Sequence, residues 1–304
     1  MKPLVSYCIL FYNQERYVRD ALKAALAQDY ENLEIIASDD CSSDGTYKVM
    51  QEIANSYDGP HKLIVRRNDQ NMGISKHFNK VFCELAQGEF VVAAGGDDIS
   101  LPNRTSKSVD LLLKCPKLQS VTFRSLQVDD NLEPLPYNRH ISDGSYSIMT
   151  MADYCLFDNF IIFSGDSRTY RSSLFNKFPK LTYAHEEDLE FFIRSMLTGG
   201  VGIIREPLVH RRWHGNNVSG KPLLRRERND QYKQMVSDVN YAYEKKYISE
   251  EEKNAMLCKV KQVRDFFYNQ DDARRHPYIN KFFKGIAKLS RIMSLFICQN
   301  ISVR

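Results

Sequence analysis

Before Ser100 the chain alternates four times between a short apolar run and an amphipathic stretch, and few architectures accommodate that pattern. Val5–Phe11 is apolar, aromatic and β-branched, the composition of a buried strand. Tyr12-Asn13-Gln14 turns the chain, and Val18, Ala21, Leu22, Ala25 and Leu26 then recur at helical spacing. Leu33–Ser38, Lys62–Arg66 and Phe90–Ala94 read as three more strands. Tyr47, Val49, Met50 and Ile53 mark one intervening helix, and Phe78, Val81, Phe82 and Leu85 another. Helical segments of this length serve as crossovers between parallel strands. The pattern predicts an α/β fold with a mostly parallel sheet and helices on both faces.

The rest of the chain is read in the same way. A helix with Val109, Leu112 and Leu113 on its apolar face follows Leu101-Pro102, and a strand is expected at Ser120–Phe123. Residues 129–150 are rich in Pro, Asn, Asp, Gly and Ser, which predicts a loop or small hairpin. Asp188–Leu197 is amphipathic through Leu189, Phe192, Ile193 and Met196, and Val201–Ile204 is a short strand. From about Pro222 the pattern is helical, with no turn-rich break before Asn269–Pro277. Charge divides the chain at the same place. Residues 1–220 hold 24 Lys/Arg against 28 Asp/Glu, a net of −4, whereas residues 221–304 hold 18 against 10, a net of +8. The expected organisation is a domain over 1–220 and a basic helical extension over 221–304.

The seven cysteines are odd in number, scattered and never spaced C-x-x-C, which argues against a disulfide framework or a structural zinc site. The chain enters a strand pattern directly after Lys2-Pro3, without a leader pattern, and no run approaches 18 apolar residues. A cytoplasmic protein is expected. No G-x-G-x-x-G follows the first strand, and G-x-x-x-x-G-K-[ST] is absent, so nicotinamide and P-loop chemistry are disfavoured.

Carboxylates cluster just after the strands, where an open α/β sheet builds its ligand crevice. Asp97-Asp98 follows Gly95-Gly96 and can hold a divalent cation through oxygen, although an Asp N-cap or a simple turn fits the dipeptide too. Asp39-Asp40 opens Asp39-Asp-Cys-Ser-Ser-Asp-Gly-Thr46, where a nucleobase contact and helix capping are both open readings. Glu186-Glu187-Asp188 suits either a general base or the acidic start of a helix. His214 stands in the loop sequence Arg211-Arg-Trp-His-Gly-Asn-Asn217, as a ligand or a surface histidine.

In order and spacing these residues resemble glycosyltransferase family 2, whose members have the GT-A fold. Val5–Asn13 looks like the family's opening strand, and Asp39–Thr46 like its D-D-x-S-x-D-G-T. Asn71-Met-Gly73 with Asn79 resembles its N-x-G-x-x-x-x-x-N. Gly95-Gly-Asp-Asp98 with Leu101-Pro-Asn-Arg104 stands where its D-x-D-D and L-P-x-R lie. Glu187-Asp188 with Arg194 looks like the segment that carries the base, and Arg211–Ser219 like the late R-x-H-x-x-x-x-S. Two departures stand out: Leu10 and Phe11 replace a Pro and a small residue, and Gly95 replaces the first acidic residue of D-x-D.

The resemblance implies an inverting transfer of a sugar from a nucleotide sugar, UDP-linked by preference, to a hydroxyl of a glycan acceptor. It implies Mn²⁺ or Mg²⁺ on Asp97 and Asp98, with His214 completing the metal or phosphate shell. Phe11, Tyr12, Asn13, Asp39, Asp40, Asn71, Gly73 and Asp97 would contact the nucleotide, and Asp188 would be the base. Glu187, Trp213 and Ser164-Gly165, the last pair with Arg168 and Arg171 nearby, would shape the donor and acceptor pocket. The family context implies bacterial surface polysaccharide such as O-antigen or capsule, with a lipid-linked acceptor at the inner face of the cell membrane.

Residues 278–297 repeat Ile279, Phe282, Phe283, Ile286, Leu289, Ile292, Met293 and Phe296 at helical spacing, with Lys281, Lys284, Lys288 and Arg291 between them. Such a basic amphipathic helix suits an anionic membrane surface, or alternatively the protein core or a second copy. Nucleic acid is not expected as a partner, since no recognised fold or aromatic platform accompanies the charge. A sugar nucleotidylyltransferase is the alternative enzyme, but the first turn lacks its Gly-rich basic loop. A non-catalytic nucleotide-sugar-binding subunit has Gly95 as its support.

Overall fold

Strand β1 (Val5–Phe11) sends Val5, Tyr7, Ile9 and Phe11 to one apolar cluster and Cys8 to a second on its other face. The same alternation holds for β2 (Leu33–Asp39), with Leu33, Ile35 and Ala37 opposite Ile36. Burial on both faces is what selects near-continuous apolar strands. The protein is described here by a computed structural model covering residues 2–136, 144–156, 167–182, 187–215, 217 and 223–275.

The helices that cover the first face are α1 (Val18–Leu26), α2 (Thr46–Ser56) and, through Val109, Leu111 and Leu112, a helix at Arg104–Lys114. The second face is covered by α3 (Ile74–Phe78), which runs into a π-helical turn at Asn79–Leu85, and by helices further along the chain. The Arg104–Lys114 helix is α4. Leu113, expected on its apolar face, is 48% exposed: Leu111 and Leu112 take the inward positions.

One nine-stranded sheet runs in the order β3-β2-β1-β4-β8-β6-β9-β5, with β7 pairing β9. Here β3 is Lys62–Arg67, β4 Phe90–Gly95, β5 Ile99–Ser100, β6 Ser120–Val128, β7 Tyr146–Met149, β8 Arg168–Arg171 and β9 Val201–Arg212. The β3-β2-β1-β4 portion is wholly parallel. Beyond it, β8 is inserted antiparallel between β4 and β6, and β6 runs parallel to β9. The chain steps from β1 to β2 and β3 on one side, then places β4 on the other side of β1. That reversal opens a crevice beyond the C-terminal ends of β1 and β4.

β6 and β9 are longer than expected, because pairing carries both past their apolar cores. Register shifts around Arg124 let them continue to Val128 and Arg212. The stretch expected as a loop over 129–150 contains a tight turn at Asp129–Glu133, closed by Asp129 N–H to Glu133 O at 2.9 Å, as well as β7. Helices α5 (Met151–Leu156), α6 (Ser173–Lys177) and α7 (Glu187–Thr198) follow.

The C-terminal helical stretch is two helices, α8 (Arg225–Glu244) and α9 (Glu250–Arg275), so its break comes earlier than the sequence suggested. Lys246 takes a left-handed φ of 59° in the break. Ser249 then caps α9 reciprocally: its N–H donates to Glu252 Oε2 at 2.7 Å, and its hydroxyl accepts Glu252 N–H at 3.2 Å. Met235, Val239, Ala242, Met256, Val260 and Val263 join the same apolar cluster as Leu189, Phe192 and Met196 of α7. The helix expected at 278–297 lies outside the described residues. No described helix is long and apolar enough to cross a membrane.

Candidate active site

Two loops at the crevice are zipped together by side chains. After β1, Asn13 takes a left-handed φ of 51°, donates its N–H to Ser42 Oγ at 2.8 Å and accepts Ser43 N–H on Oδ1 at 2.8 Å. Gln14 N–H reaches Thr46 Oγ1 at 2.8 Å, and Gly45 N–H returns to Glu15 Oε2 at 2.9 Å. Turn residues bonding neighbouring backbone give such a loop a fixed shape. A depression of about 520 Å³ lies against Asn13 to Tyr17 and Asp44. Tyr12, at 49% exposure, projects from this loop, whereas Phe11 is buried.

The two carboxylates at the end of β2 are also spent on loops. Asp39 is fully buried, accepts Ser42 N–H at 3.0 Å and the Ser42 hydroxyl, and pairs with Arg67 Nε at 3.2 Å. Asp40 accepts Asn68 Nδ2–H at 2.6 Å and the N–H groups of Met72 and Gly73 at 2.9 and 3.0 Å. Gly73 (φ 75°) also donates to Asn71 Oδ1 at 3.1 Å. The described partners of the Asp39 and Asp40 carboxylates thus lie on the loops that follow β2 and β3 and in β3 itself.

Beneath them, His77 Nε2 meets Ser38 Oγ at 2.7 Å, and burial holds the imidazole down to a pKa of about 4. The unfolded chain, titrating near 6.5, takes up this proton first as the pH falls. Stability is therefore expected to be intact above pH 6.5 and to decline toward pH 4 by roughly 3 kcal/mol. Urea midpoints across that range check this: His77→Gln should flatten the slope, and an unchanged slope would remove His77 as its source.

β4 delivers the next pair. A Cβ on Gly96 would drive into the Phe11 ring, and one on Gly95 would stand 3.0 Å from Asp97 Oδ1 and 3.3 Å from Asp98 Oδ2. The glycines therefore let the turn close over Phe11 with both carboxylates beside it. Asp97 Oδ2 lies 3.0 Å from His214 Nε2, and Asp98 Oδ1 accepts the Arg212 N–H at 2.9 Å. Asn217 closes the histidine loop, accepting His214 N–H at 2.6 Å and donating to Arg212 O at 2.9 Å. Trp213, 37% exposed, donates its N–H to Val128 O at 2.8 Å and its indole N–H to Gln127.

Asp97 offers the hard oxygen donor that Mg²⁺ and Mn²⁺ favour, beside an imidazole nitrogen and the space kept open at Gly95. This donor chemistry fits such a cation. Among the described residues no three His, Cys, Asp or Glu side chains converge as a metal cluster.

Asp188 sits in the first turn of α7 with Glu187, both half-buried. Its Oδ1 accepts Leu189 N–H at 2.8 Å, and its main-chain carbonyl accepts the guanidinium of Arg168. Arg168 pairs with Ala93 across the β4–β8 ladder, so it ties the start of α7 to the β4 end that also delivers Asp97. Arg104 reinforces the junction: buried, it donates to the Ala93 carbonyl and, at 3.5 Å, to Arg168 O. Arg171 donates to Leu118 O at 3.3 Å and Leu112 O at 2.9 Å. Arg171, expected near the acceptor pocket together with Arg168, also pairs with Glu89 Oε1 at 3.6 Å. Ser164, Gly165, Glu186 and Ser219 lie outside the described residues.

Sequence reasoning missed Tyr17 and Asp130. The Tyr17 ring stacks on His214 with centroids 4.6 Å apart and planes at 22°, and its hydroxyl donates to Asp130 Oδ1 at 3.0 Å. No periodicity or local motif signals a contact between residues so far apart in the chain.

A family model described as Glycosyl transferase family 2 matches residues 6–178. A Bacillus subtilis (strain 168) protein named as a glycosyltransferase, EpsE, is 34% identical over 128 residues, 42% of this chain and 45% of its own length. Another from that organism, TuaG, named for teichuronic acid biosynthesis, is 30% identical over 129 residues, 42% of this chain and 50% of its own. The chain thus spans about half the length of these relatives. Among solved structures, S. aureus TarS 1–349 in complex with UDP-GlcNAc superposes with a TM-score of 0.64 at 17% identity, over 84% of this chain and 71% of that one. The mannosyltransferase PcManGT from Pyrobaculum calidifontis, in complex with GDP-Man and Mn²⁺, gives 0.59 at 16% identity, over 97% and 84%.

Proposed function

The chain belongs to glycosyl transferase family 2 and has the GT-A fold, and from that premise we propose that it moves a sugar from a nucleoside-diphosphate sugar to a hydroxyl of a glycan acceptor, inverting the anomeric centre. The observation that carries the reading is the joining of Asp188 to the β4 edge through Arg168, on the edge where Asp97 meets His214.

The zipped loops after β1 and β2 hold the nucleoside, with Tyr12 against the base and Asn13, Asn71 and Gly73 around it. Asp39 and Asp40 fix those loops. Asp97 and His214 face the diphosphate, with Asp98 fixing the histidine loop through Arg212 N–H. A bound Mn²⁺ or Mg²⁺ would neutralise the charge that develops on the departing nucleoside diphosphate. Asp188 accepts the proton of the acceptor hydroxyl as that oxygen bonds to the anomeric carbon and the C–O bond to the diphosphate breaks. Its Oδ2 accepts no hydrogen bond from the described residues and is the oxygen suited to this task. Glu187 and Trp213 border the sugar and acceptor.

The relative named for teichuronic acid biosynthesis supports a surface polysaccharide as the acceptor class, and the neighbours with UDP-GlcNAc and with GDP-Man and Mn²⁺ support a nucleotide sugar and a divalent cation. Uridine is the preferred base, and a lipid-linked acceptor at the cytoplasmic leaflet is the preferred partner. The basic helix expected at 278–297 is its membrane contact. A screen of UDP-, GDP- and dTDP-sugars with Mn²⁺, read as released nucleoside diphosphate, tests the reading. Slow hydrolysis of one donor class is expected. Neither hydrolysis nor Mn²⁺-dependent binding of any of the three nucleotides would leave a protein without this activity.

A further inference from the structure

His214 packs against Tyr17, which is held by Asp130, and neither residue belongs to a family motif. Tyr17, immediately before α1, lays its ring on the imidazole at 4.6 Å between centroids. The Arg212 guanidinium lies 4.8 Å from the same tyrosine ring and is itself held by Asp20 at 3.1 Å. The tyrosine hydroxyl is anchored by Asp130 Oδ1, whose other oxygen accepts Arg16 Nη1–H at 3.1 Å. Burial and this hydrogen bond both raise the Tyr17 pKa, so the phenol stays protonated and donates.

Asp130 is presented rigidly. It stands on the turn where Asp129 Oδ1 accepts the N–H groups of Asn131 and Glu133 at 2.8 and 2.9 Å. The turn follows β6, which pairs with the strand leading into the histidine loop. Two loops that leave the same end of the neighbouring parallel strands β6 and β9 therefore meet on one tyrosine, whose ring stacks on one imidazole. The His214 side chain is only 6% exposed and meets Asp97 through Nε2.

We propose that Tyr17, anchored by Asp130, is a positioning residue that holds the His214 imidazole against Asp97 and thereby sets the affinity of the site for a nucleoside diphosphate with its divalent cation. This rests on the reading of Asp97 and His214 as the diphosphate-facing pair. Removing a group that orients a metal-ligating histidine typically changes metal affinity or activity about 10- to 100-fold.

Calorimetry with UDP, GDP and dTDP, each with Mn²⁺ and with chelator, supplies a readout independent of turnover. For whichever nucleotide the wild type binds, Tyr17→Ala should weaken Mn²⁺-dependent binding about tenfold. Tyr17→Phe keeps the stacked ring but loses the hydroxyl held by Asp130 and should fall between wild type and Tyr17→Ala, while Asp130→Asn, which keeps an acceptor oxygen for that hydroxyl, should bind closer to wild type. The discriminating variant is Tyr17→Ala combined with His214→Ala: if tyrosine acts through histidine, it should bind no more weakly than His214→Ala alone. Additive losses would show a merely structural role and overturn the proposal, as would wild-type binding by Tyr17→Ala when His214→Ala has lost affinity. If His214→Ala itself binds like wild type, or no nucleotide binds, the diphosphate reading fails first and the proposal falls with it.

Discussion

Asp188→Asn is expected to slow sugar transfer by roughly 10²–10⁴-fold while donor binding stays unchanged. The substitution is nearly isosteric, and an Asn oxygen can still accept the Leu189 N–H that Asp188 Oδ1 accepts at 2.8 Å. Arg168 grips the main-chain carbonyl of Asp188 rather than its carboxylate, so the position of α7 does not depend on the side-chain charge. What the amide loses is the capacity to take a proton. Transfer to acceptor, or slow donor hydrolysis in its absence, should drop, whereas the calorimetric affinity for donor and Mn²⁺ should hold. A fully active variant would remove Asp188 from the base role. A variant that loses donor affinity instead would place it on the nucleotide side of the crevice.

Asp238→Ala is the substitution expected to damage the fold most. Arg194 of α7 and Asp238 of α8 form a bidentate pair, Nε to Oδ2 at 2.6 Å and Nη2 to Oδ1 at 2.9 Å, with side-chain exposures of 1% and 2%. The guanidinium lies within 5.0 Å of the Phe178 ring and 5.2 Å of the Phe191 ring. Gln234 extends the arrangement, donating to Asp238 Oδ1 at 3.0 Å and accepting Thr182 N–H at 3.0 Å. Removing the carboxylate strands a charged guanidinium among aromatic rings, a loss of about 3–5 kcal/mol. Arg194→Met with Asp238→Leu removes both charges and should recover much of that loss. Urea unfolding of the two variants decides the point. Asp238→Ala within about 1 kcal/mol of wild type would show that water or a neighbouring group satisfies Arg194, contrary to the general behaviour of broken buried pairs.

This pair also bears on how the chain is organised. The charge step near residue 220 suggests a separate extension, yet α8 holds the helix that carries Asp188 through Arg194 and the Thr182 backbone through Gln234. Arg194 was visible in the sequence only as the last letter of a motif. Its function as a strut follows from Asp238, 44 residues later, a residue with no motif around it.

Other parts of the site were legible for clear physical reasons. A strand buried on both faces must be apolar throughout, so β1, β2 and β4 could be read within a residue or so of their ends. The break between α8 and α9 was missed, because the capping pattern Ser249-Glu-Glu-Glu252 lies inside a charge-rich helical run without turn residues. Less legible was the division of labour among carboxylates. Asp39, Asp40, Asp97 and Asp98 look alike as acidic pairs after strands. Only burial and partners separate Asp39 and Asp40, which hold loops, from Asp97, which meets His214.

The sequence by itself determined the alternation of strand and helix and placed Asp39-Asp40 and Asp97-Asp98 at the ends of strands. Both follow from short-range regularities: side-chain periodicity and the turn chemistry of Gly, Asn and Asp. The tertiary structure alone decided which of these residues meet. Asp97 and His214 are 117 positions apart, and Tyr17 and Asp130 are 113. Their contact depends on β8 entering antiparallel beside β4 and on β9 running past its apolar core to Arg212. Strand order and register are set by the summed packing of two apolar clusters, a global quantity that no local window of sequence contains.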